Sequence, residues 1–411
     1  MIRFLFLYFL MCITLEASNK LISAIEINGL KRTEEKTIHE VINIKIGDDA
    51  DSFNKDELQQ SLTQLGLFSK IDITTKDTEQ GLKININLRE KITKLIIPLA
   101  KSGSNETAIG LLYLDSNFLG RGDTFVAVAI YGKNTNLYSI FLNNKHFFGT
   151  NFTSSVALSY DSTTFNNQRV LDTTTPNKDN EFSQNTAKGS YAFGYNFGMF
   201  TTLLSASYKS FKISNAKNTV SNGNTSSIAP ILMVDKITYE DFLSHGFDLK
   251  SSVSRNITNL SSNDIESKIY STAFELETGY SFKIAQNSKI ALGFDMLSSD
   301  LPFVEQKRTF YGRSMRSLVD KNISYQNFIG GTLSHEYLFY SNSTFGFSHM
   351  IFAEGGKING KFDKNYVNYT GAGTGLNIYF KKVAIPALGL YITNNFKTNI
   401  TQVIFVMGMS I

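Results

Sequence analysis

From Lys94 to the last residue, polar and apolar residues alternate along one strand-length segment after another. In one segment, Phe152, Leu158 and Tyr160 share a face, and small or hydroxylated residues occupy the other. A strand with one apolar and one polar face suits a sheet that has lipid on one side and water on the other. There are roughly sixteen such segments, and we predict a closed, transmembrane antiparallel β-barrel over residues 94–411.

Three long polar stretches interrupt this alternation, at residues 161–186, 212–226 and 299–325. We expect them to be surface loops, and we expect short connections such as residues 132–134 to be turns at the opposite end of the barrel. A soluble β-sandwich is the alternative. It is disfavoured because many of the predicted strands exceed about ten residues.

Residues 21–91 have a different pattern. An alternating strand ends at Asn28-Gly29, and two segments with helical spacing follow, the second of them capped by Asn54. Two alternating segments, at 68–75 and 82–88, then complete the region. The sequence therefore predicts a small α+β domain with the order β-α-α-β-β.

The first 17 residues have the pattern of a signal peptide. Arg3 precedes an apolar run that ends near Ile13, and the small residue Ala17 lies at the expected cleavage site. The only cysteine, Cys12, lies within this segment, so we expect no disulfide in the mature chain.

Composition narrows the range of functions. The net charge of +4 is nearly balanced, which argues against a nucleic-acid partner. The mean hydropathy of −0.12 is compatible with a barrel, because lumen-facing residues offset lipid-facing ones. The five histidines are scattered without the spacing of metal ligands. We therefore predict no enzyme activity, no catalytic residues, no metal site and no cofactor.

The first domain resembles a POTRA domain, the periplasmic module of outer-membrane assembly and secretion proteins. The matching residues are Ile25-Glu26-Ile27-Asn28-Gly29, Ile46-Gly47-Asp48, the run LTQLGLF at 62–68, and Gly81-Leu82-Lys83-Ile84. The resemblance implies that the domain holds unfolded clients by adding an extended segment to the edge of its sheet. The candidate edge carries Ile71, Asp72, Ile73 and Thr74.

The long loop at 299–325 resembles the sixth loop of BamA/TamA-like barrels. Gly312 belongs to the motif, Arg316 stands in the place of its arginine, and Ser317 replaces its glycine. An arginine that folds into the lumen can anchor such a loop by pairing with an inward carboxylate. Glu336 and Glu354 are the candidate partners, and the alternative is a solvated loop arginine.

The junction between the first and last barrel strands is predicted to be weak. Pro98 lacks the N–H that a ladder needs, and the last strand brings Phe405, Gly408 and Ile411 to the same junction. Such a seam is the easiest place for the barrel to open sideways into the bilayer.

These features predict a bacterial outer-membrane barrel with one periplasmic POTRA-like domain, which assembles or translocates other proteins. The expected partners are unfolded outer-membrane or secreted proteins, outer-membrane lipid and accessory assembly proteins. Two alternatives stay open: a passive pore or structural surface barrel, and a secretion pore for one dedicated protein.

Overall fold

The computed structural model describes residues 20–42, 44–102, 107–147, 150–166, 181–215, 220–238, 242–262, 265–302, 313–318, 325–359, 365–383 and 387–407. The chain divides into two compact units, one up to Glu90 and one from Lys91 onward. No helix within the described residues is long and apolar enough to cross a bilayer.

The first unit contains three strands and two helices in the predicted order. Its elements are β1 (Ile22–Asn28), α1 (Glu35–Ile42), a 3-10 turn (Ala50–Ser52), α2 (Lys55–Gln64), β2 (Phe68–Thr78) and β3 (Gly81–Glu90). The Asn54 side chain accepts the N–H groups of Asp56 and Glu57, which is the predicted cap of the second helix.

The sheet of this unit has the order β1-β3-β2, with β3 in the centre. Strand β1 runs parallel to β3, and β2 runs antiparallel to it. The helices cover one face, where Ile38, Leu62 and Ile84 are fully buried. Strand β2 therefore has one neighbour within the described sheet and lies at its edge.

The second unit is a closed barrel of sixteen antiparallel strands, which confirms the predicted fold class. Its strands are β4 (Lys94–Ser102), β5 (Thr107–Phe118), β6 (Asp123–Gly132), β7 (Thr135–Asn144), β8 (Phe152–Asn166), β9 (Glu181–Asn196), β10 (Phe200–Asn215), β11 (Val220–Thr238), β12 (His245–Ser262), β13 (Ile265–Ala285), β14 (Ser288–Ser299), β15 (Asn327–Ser341), β16 (Phe345–Asn359), β17 (Val367–Phe380), β18 (Leu388–Asn395) and β19 (Ile400–Met407). Each strand pairs with the next along the chain, and β19 closes the circle beside β4.

Every second connection lies at the same end of the barrel, because consecutive strands run in opposite directions. The connection between β14 and β15, residues 300–326, lies at what we call the loop-six end. Residues 133–134, between β6 and β7, lie at this same end. The expectation that residues 132–134 form a turn at the opposite end is therefore wrong.

Strands extend into two of the predicted loops. Strands β8 and β9 extend through 161–166 and 181–186, and β10 and β11 occupy 212–215 and 220–226. A strand of about 9–11 residues is enough to cross a bilayer, so β11, with 19 residues, projects well beyond it. The apolar alternation ends where the strand leaves the lipid, but backbone pairing continues. This is why a pattern based on hydrophobicity ends these strands too early.

Candidate functional site

The loop between β14 and β15 enters the barrel. We call its described residues 313–318 the inserted segment; they include a 3-10 turn, Arg316–Leu318. Side chains from β12, β14, β16, β17, β18 and β19 contact this segment. Strands on different sides of a barrel can reach one short segment only from within, so the inserted segment occupies the lumen.

Glu354 on β16 anchors the tip of the inserted segment. Its carboxylate accepts the backbone N–H of Arg316 at 3.0 Å, and the N–H and hydroxyl of Ser317 at 2.7 and 2.5 Å. Glu354 is 6% exposed, so these donors replace the water that the carboxylate loses on burial. The structure thus places Arg316 next to Glu354.

The contact differs from the expected ion pair. Glu354 binds the backbone of Arg316, whereas the guanidinium lies over the ring of Phe352, 4.8 Å from its centroid. Nη1 of Arg316 is buried and has no hydrogen-bond partner among the described residues. The carbonyl oxygen of Arg316 accepts a hydrogen bond from Gln402 on β19 at 2.9 Å. The segment is therefore tied to the last strand as well as to β16.

The guanidinium–carboxylate pair of this loop is formed by a different arginine. Arg313 makes a bidentate contact with Asp248 on β12, and both side chains are mostly buried. The next residue, Ser314, donates its N–H and hydroxyl to Asp295 on β14. Three carboxylates on alternate strands, β12, β14 and β16, therefore hold the inserted segment. Each of these three acids lies at an inward-facing position of its strand. The alternation of inward and outward residues along the sequence could therefore have identified them as candidate anchors.

Apolar contacts also hold the inserted segment. Met315 and Leu318 are 3% and 2% exposed, and they belong to a buried cluster that includes Tyr325, Phe328 and Tyr369. Leu318 is thus a core residue of the lumen.

Inward-facing glycines leave room for the inserted segment. A Cβ added at Gly279 would lie 1.7 Å from Nη1 of Arg313, and one added at Gly293 would lie 3.0 Å from its Cβ. At Gly371 the added atom would lie 2.6 Å from Cβ of Ser317. Glycines at lumen-facing positions therefore indicate that a segment of the polypeptide occupies the lumen. Gly312, the remaining motif residue, lies outside the described residues.

Glu336 is not a partner of Arg316. It lies 1% exposed on β15, where it forms an ion pair with Lys289 at 3.3 Å and accepts hydrogen bonds from Asn377 at 2.7 Å and Tyr379 at 2.5 Å. Lys289 in turn donates to the carbonyl of Ser244 at 3.3 Å. The network of Glu336 therefore ties together β14, β15, β17 and the connection after β11.

The connection between β11 and β12 also reaches into the barrel, at the end opposite loop six. Phe242 and Leu243 are 7% and 2% exposed, and they pack with Leu338, Tyr379 and Ala387. These partners lie on β15, on β17 and directly before β18, between four and seven strands around the barrel from β11. Segments from both ends of the barrel therefore occupy the lumen.

The seam between β4 and β19 has one residue pair in register, Ser102 with Val403, within the described parts of both strands. On its other side, β4 pairs with β5 along its whole length. In register, the segment 98–101 would face 404–407, but these described residues are not paired. Within the described residues, the ladder at this junction is therefore much shorter than on either side of it.

Pro98 lies on the seam edge of β4. The carbonyl of Thr93 accepts from the N–H of Ser116 on β5, and backbone groups of successive residues point alternately to the two neighbours. The backbone N–H and C=O groups of Leu95 and Ile97 therefore point toward β5, whereas the backbone of Pro98 faces β19. Its missing N–H removes a donor from the seam.

Side chains seal the seam from the inside. Ile97 belongs to a buried apolar cluster with Leu112 and Leu114, against which Leu388 and Phe405 pack. Phe405, a predicted seam residue, thus bridges to the strands on the other side of the junction. Apolar packing has no fixed direction, so it can be broken and remade more readily than a register of hydrogen bonds. Gly408 and Ile411 lie outside the described residues.

The four residues predicted to bind clients lie on the edge strand β2. Asp72 and Thr74 are exposed, Ile73 is buried in the domain core, and Ile71 is partly buried. The free edge and the exposed side chains lie together, as β-strand addition requires.

Glu90 ties the loop after β1 to the end of β3. Its carboxylate accepts the N–H groups of Lys31 at 3.2 Å, Arg32 at 3.1 Å and Thr33 at 2.8 Å. Partial burial raises the pKa of Glu90, but the hydrogen bonds from Thr33, Lys31 and Arg32 outweigh it, so the pKa lies below its ordinary value of 4.5.

This lowered pKa predicts an acid-sensitive contact. A carboxylate with a depressed pKa in the folded state stabilises that state above its unfolded pKa, and the stabilisation is lost as pH falls through the folded value. In the full-length protein, we expect Glu90→Gln to speed amide exchange at residues 31–33 near neutral pH. The difference from the wild type should shrink as the pH falls through the folded pKa of Glu90, which lies below 4.5, and should vanish below that pKa. The exposed Glu79→Gln is the control, and a difference that is independent of pH would contradict the prediction.

Comparisons with known proteins agree with this architecture. Residues 21–91 match the family model of the POTRA domain, described as a surface antigen variable number repeat. No curated protein sequence matches the chain. Its fold is similar to that of BamA from Haemophilus ducreyi lacking POTRA domains 1–3, with 11% identity and a TM-score of 0.55, over 94% of this chain and 84% of that one.

Two further structures are similar over nearly the whole chain. CdiB from Acinetobacter baumannii is 11% identical with a TM-score of 0.60, and the match covers 94% of this chain and 73% of that one. CdiB from Escherichia coli is 12% identical with a TM-score of 0.59, over 95% and 76%. The chain thus joins a POTRA domain to a barrel with the fold of BamA and CdiB, which confirms the predicted resemblance.

Proposed function

We propose that this protein is an outer-membrane assembly factor that inserts other proteins into the bilayer at the seam between β4 and β19. The observation that carries the proposal is the seam itself, where one residue pair stands in register beside fully paired neighbours. A strand edge that is freed inside a membrane must find backbone partners, because lipid supplies none. An incoming strand of a client provides them.

The outer surface of the barrel supports a place in the outer membrane. Large apolar and aromatic side chains are exposed around it, including Leu204, Ile228, Leu292, Leu376 and Leu390. A soluble protein rarely exposes so many apolar side chains on one continuous surface. We place the barrel in the bacterial outer membrane and the POTRA domain in the periplasm.

The occupied lumen argues against a passive pore. The inserted segment fills it from the loop-six end, and Phe242 and Leu243 enter from the opposite end. A solute or a secreted chain would have to displace buried side chains and a buried ion pair, Lys289 with Glu336. Lateral insertion at the seam requires neither. The function involves binding and membrane insertion, and it needs no covalent chemistry.

Clients are expected to meet the protein first at strand β2 of the POTRA domain. A photocrosslinker at Asp72, on the exposed edge, should capture unfolded outer-membrane proteins during their synthesis, because an extended client strand would lie alongside it. The matched control is Gln60, which is exposed on α2. Equal capture at the two positions would remove client binding from this edge.

A further inference from the structure

The outward face of β8–β13 carries a cleft of mixed polar and apolar lining at the loop-six end. The cleft is open and has a volume of about 960 Å³. Amide, hydroxyl and charged groups line part of it: Asn185, Ser210, Lys212, Asn222, Asn224, Asn259, Ser261, Glu266, Ser267 and Lys268. Ala187, Phe211, Gly223 and Leu260 complete the lining, with Tyr160 at its lower margin. These strands project beyond the bilayer, so the cleft lies just above the lipid-facing band.

The strand register shows how the surface changes from apolar to polar. One row across the strands contains Tyr160, Ala187, Ser210, Asn224, Asn259 and Lys268. The next row toward the membrane contains Leu158, Gly189, Tyr208, Ser226, Ile257 and Tyr270. The cleft therefore begins directly where the tyrosines end, at the level of lipid headgroups.

Cations cluster around one of these tyrosines. Nζ of Lys268 lies 5.4 Å from the ring centroid of Tyr270, and the guanidinium carbon of Arg255 lies 5.9 Å from it. Arg255 also donates to the hydroxyl of Thr272 at 2.8 Å, which fixes its position on the outward face. Lys212 lies exposed within the cleft. Glu266 is a carboxylate of the same cleft, so the two lysines of the lining, Lys212 and Lys268, leave it with positive charge. Arg255 lies outside the lining, one row nearer the membrane than Tyr270, and adds a third cation at the lower margin.

We propose that this cleft binds the headgroup of a phosphorylated glycolipid in the outer leaflet. Its acyl chains would lie against the apolar rows below, its phosphates would meet Lys212, Lys268 and Arg255, and its sugar hydroxyls would meet the asparagine and serine side chains. A simple phospholipid headgroup would satisfy the cations but leave most of the amides unused. The assignment of this end to the outer leaflet rests on the proposed function.

The test measures lipid binding by the purified full-length protein in nanodiscs. The discs are made of phosphatidylcholine with a small fraction of bisphosphorylated, acylated diglucosamine, and bound lipid is counted by native mass spectrometry. The test variant combines Lys212→Gln, Lys268→Gln and Arg255→Gln. The control has the same charge change at exposed lysines elsewhere on the barrel, namely Lys133→Gln, Lys236→Gln and Lys357→Gln.

We expect the test variant to bind the glycolipid at least roughly tenfold less than the wild type, and the control to bind it as the wild type does. The same lipid without phosphates should bind the wild type weakly. A second set of discs contains phosphatidylglycerol in place of the glycolipid. The proposal would be overturned if both variants lost glycolipid binding equally, or if the wild type bound phosphatidylglycerol as well as the glycolipid. The measurement does not involve client insertion, so it can fail or succeed independently of the assembly function.

Discussion

Locking the seam should abolish client insertion while leaving the barrel folded. Ser102 and Val403 are Cα partners across the junction, so Ser102→Cys and Val403→Cys can form a disulfide there without moving the backbone far. The mature chain is predicted to have no cysteine of its own, so no native thiol competes for the pair. We expect the oxidised variant to show a normal heat-modifiable barrel and no insertion, and the reduced variant to be active.

A second disulfide controls for rigidity in general. Leu376 and Leu390 are partners between β17 and β18, and both are exposed on the outward face. A cysteine pair at these positions links two strands that are already fully paired, so it should not change activity. If the seam-locked protein kept full activity when oxidised, lateral opening would be excluded and a passive or lumen-based function would gain support.

Removing the anchor of the inserted segment should have the second large effect. Glu354→Ala leaves two backbone N–H groups and the hydroxyl of Ser317 without their acceptor. An unsatisfied buried donor costs about 1–3 kcal/mol, so we expect the segment to leave the lumen while the sixteen-stranded ladder persists. Limited proteolysis should then cut within residues 299–325, and insertion activity should fall, because Gln402 of the last strand also binds this segment.

The control for this variant is another carboxylate on the barrel wall. Glu266 lies on β13, away from the contacts of the inserted segment, and is exposed, so Glu266→Ala should change neither protease sensitivity nor insertion activity. An unchanged proteolytic pattern in Glu354→Ala would show that the contacts of Arg313 and Ser314 hold the segment without Glu354.

The barrel could be predicted because lipid imposes a strict rule on every strand that crosses it. Alternating faces at Phe152 and Leu158 follow from lipid on one side and lumen on the other. The even strand number follows from closure, because the last strand of an antiparallel barrel must run opposite to the first. This alternation of faces is required only within the membrane. Strands β10 and β11 continue through 212–215 and 220–226 with polar residues on both faces, and there the hydrophobic pattern carries no information about pairing.

The sequence indicated part of the loop site. A long loop that needs an anchor, with an inward acid such as Glu354 or Glu336, suggested a segment held in the lumen, but the expected contact was an ion pair with the side chain of Arg316 rather than the backbone contact that Glu354 makes. Which arginine forms the ion pair depends on distances across the lumen, and no one-dimensional pattern encodes them. Asp248 lies 65 residues before Arg313 and on the far side of two strands, so their pairing becomes visible only once the barrel is closed.

The central claim is that this protein assembles other outer-membrane proteins, and depletion tests it most directly. The outer-membrane proteome is quantified after the chain is depleted and then restored as wild type or as the seam-locked variant. We predict that several β-barrel proteins fall together on depletion, return with the wild type, and fail to return with the locked variant unless it is reduced. Loss of a single secreted protein, or no change at all, would contradict the claim.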